Sequence, residues 1–278
     1  MRNPPTALFA LLGSPVAGNP TGAMIEAACR SVGLDEGRYV SIDVADEGLA
    51  GAVSALRTLG VTGFHVTIPH KVAVRTHVDR LTSAAEATGA VNCVKREASE
   101  LVGDNTDGRG FVASLEPVVA LRGARVLVLG AGGAARAVAV ESALAGAASI
   151  LVANRSPARA AELVELVHRA GTESTAVPWA IPLAIPAGTD IVVNATSVGM
   201  LDADDAVAVE WSGAEPGVAA DVVIRPSTRF LEDAAGAGWT PVDGLGMLIE
   251  QAAAGFRWWT GREPHRDVMR AALADALG

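Results

Sequence analysis

A glycine-rich segment combines residue types and spacing that could do chemistry. The apolar run V-L-V-L at 126–129 leads directly into G-A-G-G-A-A-R at 130–136, and an alanine-rich stretch follows. The pattern G-x-G-x-x-A between a strand and a helix is typical of dinucleotide binding, with Gly130 in the tight turn, Gly132 beside the pyrophosphate and Ala135 at the helix–strand contact. The helix start adds backbone amides and partial positive charge. An ordinary glycine-rich turn is the alternative. The predicted cofactor-binding residues here are Gly130, Gly132, Gly133, Ala134 and Ala135.

The end of the next predicted strand distinguishes NAD from NADP. An Asp or Glu about 20 residues after the glycines would bind the ribose 2′-hydroxyl of NAD. Here Asn154, Arg155 and Ser156 follow the strand, Arg159 comes one helical turn later, and no acidic residue is in reach. A guanidinium can hold a 2′-phosphate through two hydrogen bonds. We therefore predict NADP, with these four residues in its site; the alternative is that both arginines are solvated surface groups.

Strand-like and helical stretches that alternate along the chain must position these residues. The predicted strands are 7–12, 39–44, 63–68, 90–94, 125–129, 149–153, 190–194 and 218–223. The predicted helices are 21–31, 47–59, 82–87, 132–145, 157–169, 227–237, 244–259 and 263–277. Such alternation indicates βαβ units and mostly parallel sheets. Three prolines in 176–188 predict a connection without regular structure.

Length and composition limit the class of protein. The 278 residues suffice for two domains of roughly 150 residues. Half of the residues are hydrophobic and 19% are charged, which excludes a disordered chain. Acidic residues outnumber basic ones by 31 to 22, which argues against general nucleic-acid binding.

Other sequence features predict a globular protein of the cytoplasm. No apolar run approaches the roughly 20 residues that cross a bilayer. The short N-terminal apolar run ends at Gly13-Ser14-Pro15 without a convincing cleavage site, so we predict no signal peptide. Cys29 and Cys93 predict neither a disulfide framework nor a metal site.

Seven segments, in one order along nearly the whole chain, resemble the shikimate dehydrogenase family. They are V-T-I-P-H-K at 66–71, G-A-V-N at 89–92, G-D-N-T-D-G at 103–108, the glycine-rich segment at 130–136, N-R-S at 154–156, N-A-T-S-V-G-M at 194–200 and D-G-L-G-M-L-I-E-Q-A-A at 243–253. Any one of these motifs is weakly specific, but the ordered set is strongly specific.

The resemblance implies an NADP-dependent oxidoreductase that interconverts shikimate and 3-dehydroshikimate in aromatic amino-acid and chorismate biosynthesis. It implies an α/β fold with a mostly parallel substrate-binding domain at 1–107, a Rossmann-type NADP-binding domain at 108–243 and a cleft between them. The helices in 244–278 could return to the first domain. Expected partners are NADP and a cyclic hydroxy acid, without nucleic acid or membrane, in a monomer or homodimer.

The resemblance also assigns roles to single residues. Lys71 and Asp107 match the catalytic pair, Asn92 would hold ring hydroxyls, and Thr67 and Gln251 would add substrate contacts. As hydride leaves a carbinol carbon, its oxygen gains negative charge, which a lysine can stabilise while a carboxylate orients it. Which of the two carries the proton is left open. Further cofactor-binding residues implied in the 194–200 and 243–253 motifs are Thr196, Ser197, Val198, Gly244 and Met247.

Each of these four residues could instead have a structural role only. Lys71 could be solvated, Asp107 could cap a helix, Asn92 could satisfy a turn, and Gln251 could lie on a solvated helix face.

Several residues expected around the substrate pocket depart from the family pattern. Asn19 and Thr21 stand where two serines bind the substrate carboxylate, and His65 stands where asparagine is usual. All three are predicted substrate-binding residues, with packing as the alternative for His65. His70 is expected at the surface or behind the site, and Ile224 replaces a tyrosine.

These departures leave two other functions open. One is a paralogue that acts on quinate, an aminoshikimate or a related cyclic hydroxy acid. The other is a catalytically idle dinucleotide-binding regulator, against which the retention of both Lys71 and Asp107 argues.

Overall fold

The chain folds into two compact units of the predicted α/β class. The computed structural model describes residues 7–202 and 204–278. Unit 1 comprises the chain up to Thr106 together with Ile249–Gly278, and unit 2 comprises Asp107–Leu248. The prediction that no signal peptide is present falls partly on residues 1–6, which lie outside the described residues.

Fourteen strands and nine α-helices are found in the described part of the chain. The strands are β1 Leu8–Gly13, β2 Arg38–Asp43, β3 Gly63–Val66, β4 Arg80–Leu81, β5 Cys93–Glu97, β6 Glu100–Asp104, β7 Arg125–Leu129, β8 Ser149–Ala153, β9 Glu173–Val177, β10 Leu183–Ala184, β11 Ile191–Asn194, β12 Val209–Glu210, β13 Val218–Asp221 and β14 Thr240–Val242. The helices are α1 Thr21–Ser31, α2 Leu49–Leu59, α3 Ser83–Thr88, α4 Asp107–Leu115, α5 Gly133–Leu144, α6 Pro157–Arg169, α7 Arg229–Gly236, α8 Gly244–Thr260 and α9 Arg266–Leu277.

Unit 1 contains a six-stranded sheet in the order β2-β1-β3-β5-β6-β4. Strands β2, β1 and β3 are parallel, so their carboxyl ends meet at one edge. The strand direction reverses at the hairpin of β5 and β6. Strand β5 pairs antiparallel with β3, and β6 pairs antiparallel with β5. The sequence did not predict this reversal, because the two-residue turn Ala98-Ser99 lacks glycine and asparagine, although Ala98 has a positive φ of 55°.

Both faces of the unit 1 sheet are covered. One face packs on α2 through a buried cluster that includes Leu12, Val53, Leu56, Phe64 and Leu101. The other face carries Phe9, whose ring lies 5.1 Å from that of Trp259 on α8. Since helices shield both faces, polar chemistry in this unit is confined to the strand ends and the loops that follow them.

Unit 2 contains an all-parallel sheet in the order β14-β13-β11-β7-β8-β9. Counted from the first strand of this unit, the order is that of the doubly wound Rossmann fold, so the Rossmann-type prediction is confirmed. The central strand β7 is almost fully buried, as its continuous apolar sequence requires. The strand order reverses between β7 and β11, and ligands bind at this point in open α/β sheets.

The proline-rich stretch at 176–188 is more ordered than predicted. Strand β9 ends at Val177, inside the stretch, and β10 pairs in parallel with β12 as a separate two-stranded sheet. Pro178 and Pro182 flank these strands, so neither disturbs the pairing. Strand β14 was also missed, because it carries Pro241 at the edge of the sheet.

Other features bear on the class of the protein. In residues 7–202 and 204–278 no helix has the length and apolar character that a bilayer crossing requires. The same residues contain no group of three or more side chains that could hold a metal ion. Cys29 and Cys93 are buried and form no disulfide with each other.

Candidate active-site residues

The carboxyl ends of β1 and β3 lie together in unit 1. The Thr67 backbone N–H donates to the Leu12 carbonyl, and Ser14 N–H donates to the Ile68 carbonyl, both at 2.8–2.9 Å. A Cβ on Gly13 would lie 2.2 Å from Thr67 Cγ2, so only glycine lets Thr67 lie over the end of β1. Thr67 and Lys71 are both half-buried, and the Lys71 carbonyl accepts from Val91 N–H at 2.7 Å. The loop that carries these two predicted residues is thus tied to the sheet on two sides.

Asn19 and Thr21 flank the start of α1. Asn19 Oδ1 accepts a hydrogen bond from Thr21 N–H at 3.0 Å, which closes an Asx turn before the helix. The Asn19 amide oxygen thus accepts a hydrogen bond within the turn, and its NH₂ group is a donor that it can offer to a ligand. Thr21 is buried, with 4% of its surface exposed. A carboxylate contact by this pair stays a prediction.

Asn92 and Gln251, 159 positions apart, meet in the interior of unit 1. Asn92 Nδ2 donates to Gln251 Oε1 at 3.2 Å and to Thr106 Oγ1 at 3.0 Å. Asn92 Oδ1 accepts from Thr106 N–H at 2.8 Å. Asn92 and Gln251 are at most 6% exposed. The cluster brings two predicted substrate-binding residues together and fixes the orientation of the Asn92 amide.

His65 lies in the packed interior, on the face of β3 that α8 covers. Its Nδ1 is 2.9 Å from the Tyr39 hydroxyl, and its ring centroid is 4.5 Å from that of Trp259. Burial, with a smaller contribution from Lys71, lowers the pKa of His65 to about 3, so the ring is neutral at physiological pH. A Cβ on Gly255 would lie 3.0 Å from His65 Nε2. The Nε2 atom is fully buried, and contact with a substrate stays a prediction.

His70 is buried, so of the two expected positions, at the surface or behind the site, the surface position is wrong. Its Nε2 is 2.7 Å from the Val44 carbonyl oxygen, and its side chain is 1% exposed. Its backbone N–H closes a turn to the Thr67 carbonyl at 2.9 Å. The sequence could not show this, because the partner is a backbone carbonyl on a distant loop.

The glycine-rich segment of unit 2 has a shape that fits a dinucleotide. Gly130 has a φ of +112°, and a Cβ there would lie 2.9 Å from the Ala195 carbonyl oxygen. A Cβ on Gly132 would meet nothing within 4 Å, so open space lies beside that backbone. Gly132 also precedes the first turn of α5, whose amides point outward. The tight turn at Gly130, the open space beside Gly132 and the start of α5 together form a cradle for a pyrophosphate.

The polar residues after β8 surround the start of α6. Ser156 is the N-cap, and its side chain accepts from Arg159 N–H. Asn154 Nδ2 donates to the Ser156 carbonyl at 3.0 Å, which fixes the turn. Arg155 and Arg159 are exposed, and within the described residues neither has an ion-pair partner. Two uncompensated guanidiniums beside a helix start suit a phosphate.

The turn after β11 is built around Asn194. Asn194 Oδ1 accepts from Thr196 Oγ1 at 2.7 Å, and Thr196 Oγ1 accepts from Val198 N–H at 3.1 Å. Asn194 Nδ2 donates to the Val198 carbonyl at 3.3 Å. The predicted residues Thr196, Ser197 and Val198 therefore share one ordered turn beside Gly130.

The first turn of α8 lies close to the end of β13. A Cβ on Gly244 would lie 2.5 Å from the Val223 carbonyl oxygen, so position 244 admits only glycine. Leu245 N–H donates to Asp243 Oδ1 at 3.0 Å at the helix start. Met247 is buried on the same turn. A cofactor contact of Gly244 or Met247 stays a prediction.

Sequence reasoning missed several residues that hold these groups. Tyr39 supports His65, Thr106 orients Asn92, and both Asp221 and Thr228 lie behind Asn194. Thr106 had a signal, since it stands inside the 103–108 motif. Lys71 belongs to unit 1 and Asp107 opens unit 2, and their catalytic pairing stays a prediction.

Comparisons with protein families match three parts of the chain. Residues 11–94 match the shikimate dehydrogenase substrate binding domain. Residues 114–202 match shikimate / quinate 5-dehydrogenase, and residues 244–274 match the shikimate 5′-dehydrogenase C-terminal domain.

Similar proteins cover the whole chain. Shikimate dehydrogenase (NADP⁺) of Geobacter metallireducens is 44% identical over 98% of this chain and 97% of its own length. The crystal structure of shikimate 5-dehydrogenase from Thermus thermophilus with NADP(H) and shikimate is 38% identical, with a TM-score of 0.86 over 98% of this chain and all of that one. Ligand-free 5-ketofructose reductase of Gluconobacter sp. strain CHM43 is 44% identical, with a TM-score of 0.88 over 97% of this chain and 98% of that one.

Proposed function

The chain belongs to the shikimate dehydrogenase family, and from this premise we propose that it catalyses the reversible, NADP-dependent oxidation of shikimate to 3-dehydroshikimate. The observation that carries the proposal is the buried Asn92–Thr106–Gln251 cluster in unit 1. Amide and hydroxyl groups of this kind recognise vicinal hydroxyls, which shikimate carries. Unit 2 supplies the doubly wound sheet and glycine cradle that a dinucleotide needs.

The proposed roles in unit 1 follow from donor and acceptor chemistry. Asn92 and Gln251 bind ring hydroxyls, and Thr67 adds a hydroxyl contact from the loop after β3. Asn19 and Thr21 bind the carboxylate through an NH₂ group and a hydroxyl. Because these contacts hold the ring hydroxyls and the carboxylate at the same time, they fix the ring in one orientation.

Lys71 and Asp107 are the proposed catalytic pair. NADP⁺, held by the glycine cradle of unit 2, would supply the acceptor for the hydride of the carbinol carbon. As the hydride leaves, the hydroxyl proton passes to the Lys71–Asp107 pair. Lys71 stabilises the charge that develops on the carbinol oxygen, and Asp107 holds the lysine and the hydroxyl in orientation. In the reverse direction the pair returns a proton to the same oxygen.

Unit 2 is proposed to select NADP through its arginines. The exposed, uncompensated Arg155 and Arg159 meet the 2′-phosphate, and Ser156 holds the helix start beside them. The cradle at Gly130 and Gly132 takes the pyrophosphate.

A direct assay tests the proposal. Purified protein is incubated with shikimate and either NADP⁺ or NAD⁺, and nicotinamide reduction is followed by its near-ultraviolet absorbance. We expect robust turnover with NADP⁺ and poor turnover with shikimate methyl ester. The ester loses charge-assisted hydrogen bonds worth about 1.5–3 kcal/mol. No turnover of shikimate with either cofactor would reject the proposal.

A second candidate is the NADPH-dependent reduction of a polyhydroxy ketone that lacks a carboxylate. The observation that favours it is the 44% identity, over nearly the whole chain, to a protein named 5-ketofructose reductase. This identity exceeds the 38% shared with the shikimate-bound enzyme from Thermus thermophilus and equals the 44% shared with shikimate dehydrogenase (NADP⁺) of Geobacter metallireducens. The replacement of the usual serine pair by Asn19 and Thr21 points in the same direction, because an amide NH₂ suits a hydroxyl or carbonyl oxygen as well as a carboxylate.

One assay panel distinguishes the two candidate functions. Shikimate, quinate and an aminoshikimate are tested as alcohols with NADP⁺, and 5-ketofructose and 3-dehydroshikimate as ketones with NADPH. The proposed function requires kcat/KM for the shikimate couple to exceed that for 5-ketofructose. A higher kcat/KM for 5-ketofructose than for the shikimate couple would reject the proposed function and support the second candidate.

A further inference from the structure

A buried carboxylate in unit 2 has no role in the proposed chemistry. Asp221, the last residue of β13, is 3% exposed. Its Oδ1 accepts from Val223 N–H and from Asn194 Nδ2, each at 3.0 Å. Its Oδ2 accepts from Thr228 Oγ1 at 2.7 Å. Burial raises the pKa of Asp221, and the three donors oppose that shift because they stabilise the charged form.

The partners of Asp221 reach into the predicted cofactor turn. Asn194, held by Asp221 through Nδ2, accepts from both the N–H and the hydroxyl of Thr196 through Oδ1. Thr196 in turn accepts from Val198 N–H. A continuous chain of hydrogen bonds therefore runs from Asp221 to the Thr196–Val198 turn.

Each end of this chain borders a predicted cofactor-binding residue. A Cβ on Gly130 would lie 3.4 Å from Thr196 Cγ2, so the turn lies against the first glycine of the cradle. The backbone of Asp221 also borders Gly244, where a Cβ would lie 3.0 Å from the Asp221 carbonyl oxygen. The backbone of Asp221 thus borders Gly244, and its carboxylate is linked to Thr196 through one intervening residue, Asn194.

We propose that Asp221 is a positioning residue that orients the Asn194–Val198 turn for the cofactor, with Thr228 holding the carboxylate from behind. It acts through Asn194 and does not itself touch the ligand. The inference deepens the proposed function, since it rests on NADP binding to unit 2. It adds a residue that lies outside every cofactor motif of the sequence.

The test compares two substitutions at the same position. Asp221→Ala removes both acceptor oxygens and with them all three hydrogen bonds, whereas Asp221→Asn keeps Oδ1 for Asn194 and Val223. We expect Asp221→Ala to raise the Kd of NADPH about fivefold, the effect of one misplaced hydrogen bond. Its kcat should fall about tenfold, less than the roughly 100-fold that a displacement of about 1 Å can cause. Asp221→Asn should stay within about twofold of wild type in both quantities.

A matched variant separates positioning from simple stabilisation. Ser174→Ala removes a buried 2.8 Å hydrogen bond, from Ser174 Oγ to the Ile150 carbonyl, on the opposite side of the same sheet. We expect it to lower the Tm without changing the Kd of NADPH. If Asp221→Ala behaved in the same way, with a lower Tm and an unchanged Kd, the positioning role would be rejected.

A second variant serves if Asp221→Ala does not fold. Thr228→Val removes the hydroxyl that donates to Asp221, and Thr228→Ser keeps it. We expect a Kd of NADPH raised about threefold in the valine variant only. Equal affinities of the two variants would overturn the proposal.

Failure of this inference is distinguishable from failure of the proposed function. The Kd of NADPH is measured from nicotinamide fluorescence, without any substrate. A protein that binds NADPH but does not oxidise shikimate would reject the proposed substrate and leave the positioning test intact. Wild-type protein that does not bind NADPH would overturn both.

Discussion

The two units are α/β structures that each contain a six-stranded sheet, but they present their candidate ligand-binding groups in different ways. In unit 2 the cradle is made by backbone: Gly130 and Gly132 at the end of the central strand, and a turn ordered by Asn194. In unit 1 the candidate groups are side chains such as Asn92 and Gln251, brought together from distant parts of the chain. A backbone cradle depends on fold and glycine placement, whereas a side-chain site changes with each substitution.

Most of the chain's departures from its family lie in unit 1. The glycine motif and the Asn194 turn of unit 2 follow the family pattern, and Asn19, Thr21 and His65 are in unit 1, whereas Ile224 is a departure in unit 2. We infer that variation in unit 1 changes which substrate is used and leaves NADP binding in place. Each prediction below tests this division.

The largest expected effect separates catalysis from cofactor binding at Lys71. Lys71→Met keeps most of the stem and removes the ammonium group, so kcat should fall about 100-fold or more. The Kd of NADPH should not change. Lys95→Met is the matched control, because Lys95 is the only other lysine and pairs with Glu97 at 3.3 Å. A Lys71→Met variant with more than about a tenth of wild-type kcat would exclude the catalytic role.

The second prediction concerns acid stability of unit 1. Burial lowers the pKa of His65 from its ordinary 6.5 to about 3. Between these two pH values His65 is protonated in the unfolded chain but stays neutral in the folded state. Stability is therefore lost as the pH falls from 6.5 towards 3, by about 2.5 kcal/mol at pH 4.5. Urea unfolding at pH 7 and 4.5, followed by far-ultraviolet circular dichroism, measures the loss.

His65→Asn is the control for that experiment. The variant lacks the titrating ring, so its loss of stability between pH 7 and 4.5 should be smaller than that of wild type by the same amount. Equal losses would show that other groups cause the acid sensitivity.

The third prediction tests the cofactor preference of unit 2. Arg155→Ala should weaken NADP binding by about 1.5–3 kcal/mol and leave NAD binding nearly unchanged, because NAD has no 2′-phosphate. Arg169→Ala, at the far end of the same helix, should change neither affinity. Equal losses for NADP and NAD in the Arg155 variant would contradict the assignment.

The smallest expected effect sharpens the comparison within unit 1. If His65 shapes the substrate site, His65→Asn should shift the ratio of kcat/KM between shikimate and its analogues towards shikimate. One exchanged polar contact is worth about 1 kcal/mol, or several-fold in rate. Profiles over shikimate, quinate and an aminoshikimate that do not differ from wild type would make His65 a packing residue.

The sequence predicted unit 2 more completely than unit 1. Strands β7 and β8 and helix α6 have the predicted bounds, because glycine, proline and N-cap residues mark their ends. The hairpin of β5 and β6 was missed for want of a turn signal. The long-range contacts of Tyr39, Thr106 and Asp221 were missed because each depends on tertiary proximity, which local spacing does not encode.

The two cysteines provide a way to observe opening of unit 1 alone. Cys29 and Cys93 are buried, both lie in unit 1, and they are the only cysteines of the sequence. Burial raises the pKa of the Cys29 thiol to about 11, so its reactive thiolate is scarce in the folded protein. Thiol-labelling rates in dilute denaturant therefore report the local unfolding of this unit, while unfolding confined to unit 2 adds no labelled site. A cysteine introduced on the surface of unit 2 would supply the complementary probe in the same molecule.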